Sequence, residues 1–145
     1  YIPDTDEMFV GIRGEGATLN GEPIHVSNIS DPRKAIVHLG YGHRVPADMA
    51  RTLPLLPNLF EHISDIRRYG SAAYAICCVA CGRSEVFFEL GLFIYDIAAA
   101  IVILTEAGGR ATGWDEGEDC KVTGNIIASN GLLHDFMTDA LRGEK

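Results

Sequence analysis

The chain has 145 residues, the size of one domain, and 47% of them are hydrophobic, enough to bury a substantial core. Its net charge of −8 argues against a nucleic-acid face, which needs clustered Lys and Arg, and is compatible with binding cations. No run reaches the roughly 20 apolar residues of a membrane span, and the best candidate, residues 97–104, is far too short.

The first stretch, DEMFVGIRGEGATLNGEPIHVS, alternates and turns. Asn20-Gly21 between two apolar segments predicts a hairpin. Gly11, Gly14 and Gly16 lack the Lys-Ser/Thr of a P-loop and the strand-then-helix setting of a dinucleotide site, so they read as strand ends and turns. KAIVHLGYG predicts a buried strand. VPADMARTLPLL predicts a short helix, with Pro46 early in it and Pro54 ending it. ISDIRRYG returns as a strand.

SAAYAICCVACG predicts a helix with Ser71 as N-cap and Gly82 as stop. Its cysteines, with Cys120, do not make a zinc set, and the CxxC falls too late in the helix for a redox motif. They read as small buried core residues, which suits a reducing cytoplasm. SEVFFEL predicts a strand with Val86, Phe88 and Leu90 on one face and Glu85, Phe87 and Glu89 on the other. DIAAAIVILTEAGG predicts a helix capped by Asp96 and stopped at Gly108. It has no polar face early on, so it should lie between two layers and be covered all round. GGRATGW and NIIASN predict two more strands. A last helix from Asn130 places Leu132, Leu133, Phe136, Met137, Ala140 and Leu141 on one face.

Two carboxylates stand out in this apolar setting. Asp96 reads as a helix cap, as a magnesium ligand held rigidly at a helix mouth, or as both, one oxygen for each task. Glu89 ends a strand before a loop and reads either as an exposed strand carboxylate or as a substrate contact. Gly70-Ser71 opens a helix whose first amides could take an oxyanion or a sugar hydroxyl, or simply be capped.

The run from Arg67 to Arg110 resembles the C-terminal half of the inositol monophosphatase family. Three features stand in order: a Gly-Ser/Thr-Ala-Ala start at Gly70 to Ala73, a Trp-Asp-x-Ala start at Tyr95 to Ala98, and Glu-Ala-Gly-Gly at Glu106 to Gly109. The hairpin GEGATLNGEPIHVS and the strand NIIASN are similar to family strands as well. Tyr95 stands where tryptophan is usual, and Phe93 stands at a loop position near the substrate that is polar in some inositol-specific members.

The resemblance implies a layered α/β fold, the C-terminal half of an αβαβα sugar-phosphatase architecture whose mixed sheet carries helices on both faces. Residues 1–30 would form a hairpin of the first sheet, and 31–145 a C-terminal α/β substrate-reading domain. It implies magnesium-dependent hydrolysis of a small-molecule phosphate ester, with no nucleic-acid or membrane partner, in a cytoplasmic homodimer. Asp96 would be a metal ligand, Glu89 would contact substrate hydroxyls, and Gly70, Ser71 and Ala72 would lie against the substrate. The family's Asp-Pro-x-Asp-Gly-Thr motif is missing. Asp31-Pro32-Arg33-Lys34 begins alike but lacks the second Asp and the Gly-Thr. The catalytic N-terminal half is therefore expected to be absent. The alternative is a non-catalytic binding or assembly lobe derived from the same fold.

Overall fold

Asn20 and Gly21 have φ of 51° and 85°, the left-handed pair that a two-residue type I′ hairpin requires. In the computed structural model, which describes residues 1–42 and 44–143, this turn joins β2 (Gly16–Leu19) to β3 (Glu22–Pro23). The other edge of β2 pairs antiparallel with β1 (Phe9–Ile12), giving a small three-stranded sheet.

The second sheet contains β4 (Ile36–Leu39), β5 (Asp65–Arg67), β6 (Val86–Glu89), β7 (Arg110–Thr112) and β8 (Ile126–Ser129). Their order is β5-β4-β6-β8-β7. Strand β4 runs parallel to both β5 and β6, whereas β8 is antiparallel to β6 and β7. The period of β6 sorts its side chains as expected. Phe87 joins the core on one face, and Val86, Phe88 and Leu90 join the core on the other.

Helices α3 (Ala72–Ala80) and α4 (Ile94–Glu106) lie between the two sheets. Their Ile76, Val79, Ile97 and Leu104 pack with Phe9 of β1 and with Phe87, Ile126 and Ala128 of the large sheet. On the far face, Leu59 of α2 (Leu56–His62) and Met137 and Leu141 of α6 (His134–Arg142) pack on Val37, Phe88 and Ile127. Trp114 is fully buried there, edge-on to Phe88 with centroids 5.6 Å apart, and its indole N–H donates to the Leu141 carbonyl at 3.2 Å.

Glu106 fastens the small sheet to α4. Its two carboxylate oxygens accept from the backbone N–H groups of Gly14 and Gly16, each at 3.0 Å, at the turn between β1 and β2. Gly108 ends the helix at φ 89°. At Gly109 a Cβ would come within 2.4 Å of the Leu104 side chain, so the chain can pass beneath its own helix only without one. The Glu-Ala-Gly-Gly stretch is thus a structural clamp.

Several expectations are corrected. Helix α4 starts at Ile94, with Phe93 extended before it, so Asp96 is the third helical residue and not the N-cap. Its carboxylate instead reaches back to the Phe93 N–H, and the helix is capped three residues earlier than expected. Nor is α4 covered all round, since Ala98 and Ala99 are exposed. Pro54 does not end the helical run. After α1 (Pro46–Thr52) the chain makes a 3₁₀ turn at Leu53–Leu55 and enters α2, with Pro54 and Pro57 in first-turn positions where no amide is needed. The last helix begins at His134 rather than Asn130, and Leu132 is 58% exposed. Asn130 is occupied otherwise: its amide donates to the Ser27 and Ile29 carbonyls, and its Oδ1 accepts from Leu133 N. A short α5 (Cys120–Thr123) has no sequence signal that the periodicity revealed.

Two predictions follow from the packing. Gly11 lies so close to α4 that a Cβ would meet the Ile103 Cα at 2.8 Å. Gly11→Ala must separate β1 from the helix and should cost about 1–3 kcal/mol in urea unfolding. An unchanged urea midpoint in Gly11→Ala would mean that the close approach does not constrain the fold. The second concerns His134, which is buried between the Ser129 and Thr112 hydroxyls at 2.8 and 2.9 Å. Burial, with Arg110 adding to it, pushes its pKa down from 6.5 to about 4. The unfolded chain therefore binds a proton that the folded chain refuses. Stability is fully present above pH 6.5 and falls as pH drops towards 4, by up to about 3 kcal/mol. Burial of His38 pushes the same way. Unfolding curves at pH 7, 5.5 and 4.5 test this, and a flat profile would mean that His134 takes up its proton as readily in the folded chain as in the unfolded one.

Candidate active site

Because β4, β5 and β6 are parallel, their carboxyl ends open on one edge of the sheet, the usual place for a ligand in such a sheet. Gly40, Gly42 and Arg44 come after β4, Arg68 to Ala72 follow β5, and Glu89 to Asp96 end β6 and open α4. These three segments border one cavity of about 350 Å³. All five residues expected from the sequence are in its wall: Gly70, Ser71, Ala72, Glu89 and Asp96.

Each is placed for a local reason. Gly70 has φ 79°, which turns the chain from β5 into α3. Ser71 is extended, and its hydroxyl accepts from Tyr74 N at 3.4 Å as the N-cap. The Glu89 carboxyl lies directly over Gly40, where a Cβ would fall 1.9 Å from its Cδ. Any side chain at 40 would take the carboxyl's space. The loop after β6 is pinned from beneath. Gly91 N donates to Asn125 Oδ1 at 3.0 Å, and Asn125 Nδ2 donates to Glu118 at 2.7 Å. Glu118 also accepts from Trp114 N and Asp115 N. Burial pushes its carboxyl up, but these bonds outweigh it and hold the pKa below the ordinary value.

Asp96 accepts at Oδ2 from both Phe93 N and Arg44 Nη1, each at 3.0 Å. The Phe93 amide and the Arg44 guanidinium keep its carboxyl below the usual carboxylate range, so it is ionised near neutrality. The Arg44 guanidinium also lies over the Phe93 ring, 4.8 Å from its centroid, and Phe93 stacks on Tyr95 at 5.1 Å. Phe93, expected near the substrate, is 50% exposed and supports Arg44. The sequence reading missed Arg44, Arg68 and Gly40. The signal that could have found them is their position just past the ends of two strands flanking one another in parallel.

Among the described residues no group of three or more His, Cys, Asp and Glu side chains is placed to hold a metal ion. Asp96, a rigid and ionised oxygen donor, fits one ligand of a magnesium site. It does not make a whole one.

The chain matches the "Inositol monophosphatase family" over residues 1–144. It is 35% identical over 144 residues to "Nus factor SuhB" of Escherichia coli (strain K12), covering 99% of this chain and 54% of that protein. Among solved structures it resembles the inositol monophosphatase from Anabaena (Nostoc) sp. PCC 7120, with TM-score 0.89 and 36% identity over 99% of this chain and 57% of that one. It also resembles the extragenic suppressor protein suhB from Bartonella henselae, with TM-score 0.92 and 36% identity over 98% of this chain and 54% of that one. The chain spans about half the length of the relatives it matches. With the family pattern covering nearly every residue and the fold superposing throughout, the chain belongs to the inositol monophosphatase family.

Proposed function

We propose that this chain is the C-terminal, alcohol-reading half of a magnesium-dependent phosphomonoester hydrolase acting on an inositol or sugar phosphate. The observation that carries the reading is the convergence of Gly70-Ser71-Ala72, Glu89 and Asp96, from three separate segments, on one cavity. In this reading residues 1–30 belong to the first sheet of the intact fold, and 31–145 form the substrate-reading domain. The intact enzyme is a homodimer, and four free thiols suit a reducing cytoplasm.

The residues divide the work. Asp96, kept ionised, contributes one oxygen to the metal, while Phe93 N fixes its orientation. When bound, magnesium supplies the acidification of water and the charge stabilisation that phosphoryl transfer needs. Glu89, held over Gly40, accepts hydrogen bonds from substrate hydroxyls. The α3 start gives the alcohol part a backbone surface. A second reading, a non-catalytic binding or assembly lobe, draws on a different observation: Val10 and Ile12 of β1, with Met8 just before it, stand 41–51% exposed. Phosphate release by the intact enzyme decides between the two.

Asp96→Asn in the intact enzyme keeps an acceptor for Phe93 N and loses the charge offered to the metal. The unfolding midpoint should barely move, while turnover and magnesium affinity fall together. Normal turnover in a destabilised variant would make helix capping the whole role of Asp96.

Glu89→Gln should lower kcat/KM for a polyol phosphate about tenfold to hundredfold, the worth of a lost charge-assisted hydrogen bond. A simple ester without vicinal hydroxyls should hardly be affected. Equal losses on both esters would remove Glu89 from hydroxyl recognition.

A further inference from the structure

We infer that Tyr69 contacts the substrate in this cavity, as an aromatic platform for the C–H face of a ring-shaped alcohol, and that His38 is the positioning residue that holds it. The inference rests on reading the cavity as the ester site. Tyr69 lies in the cavity wall, in the turn that leads from β5 into α3. Its ring meets the His38 ring nearly at right angles, with centroids 4.7 Å apart, and the Tyr74 ring at 4.9 Å. Edge and tilted contacts of this kind are the favoured geometry of aromatic pairs. One comes from β4 and the other from α3, so two separate elements fix the tyrosine. Its outer surface stays open, and the residue is 55% exposed.

Ordering an exposed side chain costs entropy, and a ring pinned from behind has lost that freedom before a ligand arrives. His38 supplies much of the support. It is buried, and on β4 it sits level with Arg67 of β5 and Phe87 of β6. Burial pushes its pKa below 6.5, so the imidazole is neutral near pH 7. Among the described residues its Nδ1 has no hydrogen-bond partner, so what His38 offers Tyr69 is a flat ring. The other exposed tyrosine of the cavity wall differs: Tyr95 is already stacked on Phe93. The ligand chemistry follows from the pairing with Glu89. A cyclic polyol carries hydroxyls around its rim and C–H bonds on its faces. With rim hydroxyls on the Glu89 carboxylate, such a ring keeps an apolar face that gains by leaving water for an aromatic surface. An open-chain polyol presents no such face.

The test uses the intact enzyme with magnesium and two monophosphates of equal carbon number, myo-inositol 1-phosphate and a hexitol 1-phosphate. Tyr69→Ala should raise KM for the inositol ester about tenfold, the worth of roughly 50 Å² of apolar surface, and leave kcat unchanged. The hexitol ester should hardly notice. Tyr69→Phe, which keeps the face and loses the hydroxyl, should behave as the parent on both. His38→Ala should raise KM for the inositol ester in the same sense by a smaller factor, again at constant kcat, and His38→Phe should restore it. Tyr69 is exposed, so the unfolding midpoints of its variants should match that of the parent. Equal rises in KM for the two esters with Tyr69→Ala, or a loss with Tyr69→Phe as large as with Tyr69→Ala, would overturn the platform and leave the phosphatase reading standing. A parental KM in His38→Ala would remove His38 from the inference. No turnover of either ester by the parent enzyme would overturn both readings.

Discussion

How closely α4 can approach its neighbours governs the rest of this molecule. Gly11 lets β1 come against the Ile103 backbone, and Gly109 lets the returning chain pass under Leu104. Glu106 then locks the turn between β1 and β2 onto the helix end through two backbone N–H groups. With its C-terminal end fixed in this way and Ile97, Ala100 and Leu104 buried against α3 and the large sheet, the helix has little freedom to slide. Its first turn, and Asp96 with it, is delivered to the mouth of the cavity by contacts far from any chemistry.

The same economy governs the strand ends. Three parallel strands leave the sheet on one edge, and each contributes a different kind of group: a glycine-lined loop after β4, a cation and a helix start after β5, carboxylates at and beyond the end of β6. The glycines are structural conditions for the carboxylate. Gly40 leaves room for the Glu89 carboxyl. Gly42 and Gly91, both at positive φ, let the Asp48 side chain close in between their loops. Polar groups in such a place stay organised because the apolar layers beneath them are closely packed.

Charge is arranged locally against the overall balance. The chain carries −8, yet the cavity wall holds two guanidinium groups beside its two carboxylates. Arg44 satisfies Asp96 from the solvent side, while Phe93 N does so from the helix side. This pairing keeps an ionised carboxylate in the geometry of a ligand. It also means that any cation arriving at Asp96 meets one already there.

Much of this was legible in the residues. Alternation in SEVFFEL sorted Phe87 from Val86 and Phe88, Asn20-Gly21 marked the hairpin, and the Gly70-Ser71, Tyr95-Asp96 and Glu106-Gly109 stretches pointed to the family in the right order. Local rules failed where distant groups competed. Asp96 was read as a cap because Asp favours that position, but it bonds back to Phe93 N and the helix is capped there, three residues earlier. Pro54 was read as a stop, yet a proline in a first turn costs no hydrogen bond and the helical run resumes. What the sequence by itself determined is the set of elements and the chemistry they carry, since side-chain period, turn geometry and capping act over a few residues. Only the tertiary structure decided that Arg44 meets Asp96, that Glu89 rests on Gly40 and that Arg68 shares their cavity, because these pairings join segments up to 52 residues apart through the parallel register of three strands, which no local pattern encodes.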